Sequence, residues 1–272
     1  MSHFKTPLFL LLTATLAGAA ATAHLTGCSA KGSDKTCDQG NGGESALSMC
    51  GNRAGMVKGI DVAGANGDID WDTVKKGGIG WGYAQVSDGL TADDHFADNW
   101  KGMKKAGVVR GAYQYFYPGV DAKQQADLFI KSLKDAGKIG VGDLPPVLDL
   151  EEVTDEDGNA IAGKDIVDAA TTWLTAVEQA TGRKPMVMTS PVMTKLIGLK
   201  LKSYSLWIAQ YRNDCPDLSS TWKTWSWDFW TYSQKQKVAG VPEGVVYSAF
   251  FQGTANDLKM FTAEASADGG AG

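Results

Sequence analysis

The amino-acid sequence predicts an α/β protein that folds as a single (β/α)-barrel, with about five βα units followed by three closing strands. First, short apolar runs alternate with amphipathic helical patterns from about residue 59, which implies parallel strands joined by right-handed crossovers. Second, the helical pattern fades after about residue 200 and aromatic, β-rich runs replace it. Third, the chain is 43% hydrophobic, with 9 Trp, 9 Phe and 8 Tyr, so it can bury a large core.

Five strand–helix units follow one another between about residue 58 and residue 200. The strand-like runs are "KGIDVAG", "IGWGYAQVS", "VVRGAYQYFY", "LPPVLDLE" and "KPMVMTS". The helical segments are "IDWDTVKKGG", "DDHFADNWKGMKKAG", "DAKQQADLFIKSLKDAG", "KDIVDAATTWLTAVEQATG" and "PVMTKLIGLK". Four of these segments end in a glycine, which is a common helix stop.

Two of the helices show the face that they are expected to bury. Phe96, Trp100 and Met103 share one face of the second helix. The fourth helix presents a longer apolar face made of Ile166, Ala170, Trp173, Leu174 and Val177. Both faces are expected to pack against the strands.

The three closing strands are predicted in "YSLWIAQY", "WDFWTYS" and "GVVYSAFF". In barrels of this kind the reactive groups lie where strands end and loops begin. The turns after "GID", "VLDLE" and "LWIAQY" are therefore expected to face one common mouth.

The N-terminal segment reads as an export signal over residues 1–27, with one lysine followed by an apolar run and small residues. The string "LTGC" resembles a bacterial lipobox, which implies that Cys28 becomes the lipid-bearing first residue and anchors the protein to a membrane. The alternative is plain secretion after cleavage near "ATA". Residues 28–57, rich in Gly, Ser, Lys and Asp, are expected to form a flexible tether, residues 58–264 the barrel, and residues 265–272 a disordered tail.

The formal net charge is −5, and it becomes −6 when the single lysine of the signal is removed. An acidic protein of this size is a poor candidate for nucleic-acid binding. No His/Cys spacing indicates a metal site, no cofactor is predicted, and a monomer is expected. Export permits disulfides; Cys37 and Cys50 are the local pair, which would leave Cys215 free, although sequence alone cannot assign the pairing.

Two carboxylates end the fourth strand-like run, at Asp149 and Glu151 in "PPVLDLEEV". Alternate residues of a strand share a face, so the two acids lie together, separated by roughly 6 to 7 Å along the chain. When two carboxyl groups lie close together, their repulsion favours the protonated form of one of them. Cleavage of a glycosidic bond needs a protonated acid beside an ionised one. Asp61 ends the first strand and joins them at the expected mouth. The alternative is a strand-end pair that caps helices or binds a cation.

Aromatic side chains near strand ends are candidates for stacking on sugar rings. The expected substrate-binding residues are Tyr83, Tyr115, Trp207, Tyr211, Trp230 and Tyr247, together with the acid Asp88. Core packing is the competing interpretation for each ring, and it is the better one for at least half of them.

Several motifs in register resemble the family 25 glycoside hydrolases, which are lysozymes. The motifs are the opening "GIDVAGANGDIDWDTVKKGGIGWGYAQVSDG" and then "DDHFADNW", "GAYQYF", "PPVLDLE", "LWIAQY", "WDFWTYS" and "FFQG". The resemblance covers residues 58 to about 253 and implies a peptidoglycan substrate. It also implies that Glu151 is the general acid, that Asp149 orients or stabilises, and that Asp61 lies beside them.

The sequence departs from this family pattern at several polar positions. Tyr247 stands where the family has a further aspartate in the last strand. The other departures are Gln114 for a histidine, Gln85 for a lysine, Asp88 for a glutamate, Ala63 for a serine and Asn66 for a glutamine.

Three interpretations follow from these departures. The protein is a muramidase that cleaves between N-acetylmuramic acid and N-acetylglucosamine, a lysozyme altered toward de-N-acetylated glycan, or a cell-wall-binding lipoprotein with an impaired cleft. A chitinase-like hydrolase is disfavoured because "PPVL" precedes Asp149 where a longer acidic run is expected.

Overall fold

The computed structural model describes residues 53–212, 215–216, 218, 226–242 and 246–263. The predicted export signal, Cys28, the local cysteine pair and the C-terminal tail lie outside these residues. Within the described part of the chain, no helix has the length and apolar character needed to cross a membrane.

The described residues form nine strands and six α-helices. The strands are β1 (Val57–Val62), β2 (Trp81–Asp88), β3 (Thr91–Ala92), β4 (Val109–Tyr115), β5 (Val147–Leu150), β6 (Met186–Thr189), β7 (Ser205–Ala209), β8 (Trp227–Gln236) and β9 (Val246–Phe251). The helices are α1 (Trp71–Lys76), α2 (Phe96–Ala106), α3 (Ala122–Asp135), α4 (Gly163–Thr181), α5 (Pro191–Ile197) and α6 (Ala255–Ala263).

Eight of these strands close into a barrel, which confirms the predicted fold class. The order is β1-β9-β8-β7-β6-β5-β4-β2, and β1 pairs with β2 to close the ring, while the short β3 pairs only with β2. The strands β1, β2, β4, β5 and β6 each precede a helix, so the five predicted βα units are present. The last strand differs from the rest, because β9 runs antiparallel to both β8 and β1.

The helices bury the faces that their sequence periodicity predicts. In α2 the buried apolar residues are Phe96, Trp100 and Met103, and the helix ends at Gly107, whose φ of 71° suits the left-handed conformation. In α4 the buried residues are Ile166, Ala170, Trp173, Leu174 and Val177. These faces pack on the outward side of the strands and form one layer of the core.

A second layer fills the inside of the barrel with aromatic rings. Trp81, Tyr83, Trp207 and Phe229 are fully buried there, and the ring centroids of Tyr83 and Trp207 are 4.9 Å apart. Glycines on the neighbouring strands make room for these rings, since a methyl group at Gly111 would overlap the ring of Tyr83. The filled interior leaves only the ends of the barrel for a site.

The structure corrects the expectation for Cys215. This residue takes part in a disulfide bond, and its partner lies outside the described residues. The expectation that Cys215 is free is therefore wrong, because local spacing between Cys37 and Cys50 does not decide which chain segments the fold brings together.

Candidate active site

Three carboxyl groups meet at the carboxyl-terminal mouth of the barrel. Asp61 lies near the end of β1 and is 5% exposed, and Asp149 lies in β5 and is 6% exposed. Glu151 directly follows β5 and is partly buried. The alternation of β5 explains the arrangement, since Leu148 and Leu150 pack outward into the layer under the helices.

The three acids influence one another's protonation. Burial raises the pKa of Glu151 to about 7. Burial, and after it the charge of Glu151, raises the pKa of Asp149 and of Asp61 well above their usual range. The pKa of a carboxyl group rises when the group loses contact with water and shares a pocket with other carboxyls. Such a group can keep its proton near neutral pH.

Two of these acids carry an oxygen that has no protein partner. Within the described residues, Oδ1 of Asp61 and Oδ1 of Asp149 are buried and accept no hydrogen bond. Buried polar atoms are nearly always paired in folded proteins. Unpaired oxygens at a mouth are therefore suited to contact a bound molecule or its developing charge.

Tyrosines surround the acid cluster. Tyr115 is paired with Asp149 in the β4–β5 register, and burial followed by the charge of Asp149 raises its pKa. Tyr113 lies one layer deeper on the same strand, and its pKa is raised by burial and by the charges of Asp61 and Asp149. Its spacing of two from Tyr115 places Tyr113 on the same strand face.

Tyr211 and Tyr247 form the open side of the mouth. They are 42% and 43% exposed, and their ring centroids are 6.3 Å apart. Tyr247 pairs with Asp61 in the β1–β9 register. Because β9 is antiparallel to its neighbours, its first residues rather than its last ones lie at the mouth.

An open cleft of about 360 Å³ adjoins this mouth. Its walls include Asp88, Tyr117 and Glu152, and the hairpin after β5, in which Thr154 bridges Ala160, supplies another wall. Asp88 was an expected site residue, whereas Tyr117 and Glu152 were not. Glu152 immediately follows Glu151 in the sequence, which was the available signal.

A bulge in β2 decides where Asp88 lies. The β2–β4 register shifts between Gln85 and Ser87, so that Asp88 pairs with Tyr115. Strand alternation alone would put Asp88 on the opposite face from Gln85. The extra residue of the bulge places Asp88 on the same face as Gln85. The charge of Asp88 consequently acts on Asp149 across the mouth.

Three rings expected to contact sugar lie in the core instead. Tyr83 and Trp207 are fully buried inside the barrel, where Tyr83 donates a hydrogen bond to the Pro145 carbonyl. Trp230 is also fully buried, in the layer under the helices, and donates to the Gln210 carbonyl. As substrate-contacting residues these three predictions are wrong, because no face of their rings reaches solvent.

Gln114, one of the departures from the family pattern, also lies away from the cleft. Its amide nitrogen donates to the Ser87 hydroxyl and to the Gly89 carbonyl, and its amide oxygen accepts from the Trp173 indole on α4. It therefore joins β4 to β2 and to a helix. In the described part of the chain, no group of three or more His, Cys, Asp or Glu side chains is arranged for a metal ion.

Comparisons with known proteins agree with this geometry. A family model described as glycosyl hydrolases family 25 matches residues 60–241. Lysozyme M1 of Streptomyces globisporus is 30% identical over 213 residues, which cover 74% of this chain and 70% of that protein. The uncharacterized protein YegX of Escherichia coli K12 is 33% identical over 213 residues, covering 75% of this chain and 73% of that protein.

Solved structures show the same fold. The bacterial lysozyme from Streptomyces coelicolor has a TM-score of 0.68 and 26% identity, covering 77% of this chain and 98% of that one. A family 25 glycosyl hydrolase from Bacillus anthracis has a TM-score of 0.67 and 25% identity, covering 76% of this chain and 93% of that one.

Proposed function

The chain belongs to the family 25 glycosyl hydrolases, and from that premise we propose that it is an exported muramidase that cleaves the glycan strand of peptidoglycan between N-acetylmuramic acid and N-acetylglucosamine. The relative named Lysozyme M1 supports this substrate class. The observation that carries the proposal is the buried acid cluster, in which Glu151 has a pKa of about 7 beside Asp149 and Asp61.

Glu151 is the proposed general acid. A carboxyl group whose pKa lies near 7 is protonated often enough at neutral pH to donate, and its conjugate base is then ready to accept a proton. Its proton passes to the glycosidic oxygen as the bond from that oxygen to the anomeric carbon breaks. The departing sugar leaves as a neutral alcohol.

Asp149 and Asp61 support the positive charge that grows on the sugar ring. Their unpaired Oδ1 atoms are already buried, so they need no further desolvation to act on the developing charge. The acetamido oxygen of the cleaved sugar attacks the anomeric carbon, and Asp149 orients that group. Water then opens the cyclic intermediate and returns a proton to Glu151, which restores both the enzyme and the acetamido group.

Replacing Glu151 with glutamine tests the proposal, because the amide keeps the size of the side chain and removes the proton donor. The substrate is purified peptidoglycan, and mass spectrometry reads the released muropeptides. The wild-type protein is expected to release them and Glu151→Gln to release none. Glu178→Gln on the outer helix α4 is the matched control and should retain activity. Turnover by Glu151→Gln would refute the assignment.

Two other functions make different predictions in the same assay. A lysozyme altered toward de-N-acetylated glycan would use the acid-lined cleft, because the free amine is a cation that Asp88, Glu152 and the acids of the hairpin after β5 would attract. Products from enzymatically de-N-acetylated wall alone would support that specificity. A protein that binds wall and releases nothing from either sample would be a binding module.

Export and membrane anchoring are further parts of the proposal. They rest on the signal-like residues 1–27 and on the lipobox-like "LTGC" ending at Cys28. Fractionation of producing cells should place the wild-type protein in the membrane fraction and Cys28→Ala in the soluble exported fraction. Equal membrane association of the two proteins would contradict lipidation at Cys28.

A further inference from the structure

Tyr211 and Tyr247 stand out among the aromatic residues of the barrel because their rings remain open to solvent. Tyr83 and Trp207 are fully buried, whereas Tyr211 and Tyr247 are 42% and 43% exposed. Their ring planes are tilted by 35° with centroids 6.3 Å apart, so the two rings lie side by side instead of covering each other. They form an apolar rim that a ligand can contact.

The hydroxyl groups of Tyr211 and Tyr247 interact with each other. The hydrogen bond with Tyr211 lowers the pKa of Tyr247. Burial and the charges of Asp61 and Glu151 act in the opposite sense and raise the pKa of Tyr247 overall. The Tyr247 hydroxyl therefore keeps its proton at neutral pH, and because Tyr247 is exposed at the mouth, a bound ligand can accept a hydrogen bond from it.

The position of Tyr247 puts this donor at the reaction centre of the proposed function. Tyr247 is the register partner of Asp61 across β1 and β9. The charges of Asp61, Glu151 and Asp149 all act on its phenol. A sugar whose glycosidic oxygen contacts Glu151 therefore places its ring substituents near the rim.

The two forms of the amino sugar offer opposite chemistry to such a donor. An N-acetyl group presents a carbonyl oxygen, which accepts a hydrogen bond, and a methyl group, which packs on an aromatic face. A free amine is an ammonium group with donors only. A site whose polar group is left unpaired by a substrate discriminates strongly against that substrate.

We propose that Tyr247, held by Tyr211, is a specificity-determining residue that donates a hydrogen bond to the carbonyl oxygen of the sugar's N-acetyl group. The enzyme thereby selects N-acetylated over de-N-acetylated glycan. This inference deepens the proposed function and rests on it. It also gives a role to the tyrosine that stands where the family pattern has an aspartate. A phenol can donate a hydrogen bond to the carbonyl oxygen, whereas an ionised carboxylate can only accept one.

Binding measured without turnover tests the inference directly. In the Glu151→Gln background, calorimetry gives the Kd for muramic acid–glucosamine fragments that are fully N-acetylated or de-N-acetylated. Tyr247→Phe keeps the ring and removes the donor, so its Kd for the acetylated fragment should rise about tenfold, the usual effect of one lost hydrogen bond. Its Kd for the de-N-acetylated fragment should not change. Tyr247→Asp should reverse the preference.

The matched control is Tyr204→Phe. Tyr204 precedes β7 at the opposite end of the barrel, so loss of its hydroxyl should leave both Kd values unchanged. Equal Kd values for the two fragments, or a preference unchanged by Tyr247→Phe, would overturn the inference while leaving the muramidase proposal intact. Failure of the wild-type protein to release products from either wall sample would overturn the proposed function and this inference with it.

Discussion

Glu151→Gln is expected to stabilise the folded protein above neutral pH even as it removes the proposed acid. Burial raises the pKa of Glu151 from 4.5 to about 7. Between these two values the folded protein holds a proton that the unfolded chain has released. The free energy of unfolding therefore falls as pH rises from about 4.5 to about 7, and the glutamine variant escapes this loss.

The size of the effect follows from the shift in pKa. A rise from 4.5 to about 7 is about 2.5 pKa units. At about 1.4 kcal/mol for each unit, the ionised side chain costs about 3 kcal/mol of stability above pH 7 and close to nothing below pH 4.5. Removal of the Glu151 charge also relieves Asp149 and Asp61, whose pKa values that charge raises, so their response adds stability in the same direction.

Urea unfolding of the full chain, followed by tryptophan fluorescence, measures the difference. At pH 8 the variant should be more stable than the wild type by about 3 kcal/mol, and at pH 4.5 the two curves should nearly coincide. Glu178→Gln should show no such dependence on pH. The same pKa predicts that wild-type kcat/KM falls tenfold for each pH unit above about pH 7, since only the protonated Glu151 donates.

Two results would refute the reasoning. If the stability difference between Glu151→Gln and the wild type were the same at pH 4.5 and pH 8, burial would not raise the pKa of this carboxyl in the folded protein. If the variant were less stable at pH 8, the ionised carboxylate would have a favourable partner, and its role as an acid near neutral pH would lose its physical basis.

Two further substitutions test the site and the barrel interior. Asp149→Asn should lower kcat by about 100-fold to 1,000-fold with intact folding, because it replaces the carboxyl group that orients the acetamido group of the reacting sugar. A loss smaller than about threefold would contradict that role. Gly111→Ala should lower the unfolding free energy by about 1 to 3 kcal/mol, because its methyl group would overlap the ring of Tyr83. Gly140→Ala, where nothing lies within 4 Å of the added carbon, is the control and should change stability far less in the same urea titration.

Period-two alternation made the acid pair predictable. In "VLDLE" the leucines and the acids occupy opposite strand faces, and the structure has Leu148 and Leu150 in the layer under the helices. The helix faces of α2 and α4 were predictable for the same kind of reason, because a 3.6-residue period is written in the local sequence. These features depend on residues close together in the chain.

The depth of an aromatic ring along the barrel axis was not predictable. Tyr83 and Tyr115 both lie on strand faces that point inward, yet Tyr83 is buried in the interior and Tyr115 lies beside Asp149. The stagger between neighbouring strands sets this depth, and no single strand contains that information. Trp207 was misassigned for the same reason.

The sequence by itself determined the barrel, its five βα units, the faces of its helices and the strand at whose end Asp149 and Glu151 lie, since each follows from local periodicity. Only the tertiary structure decided that a bulge turns Asp88 toward the mouth and that the antiparallel β9 brings Tyr247 beside Asp61. It also decided the burial that raises the pKa of Glu151 to about 7. Register, strand direction and burial arise from segments far apart in the chain, and they set the chemistry of the site.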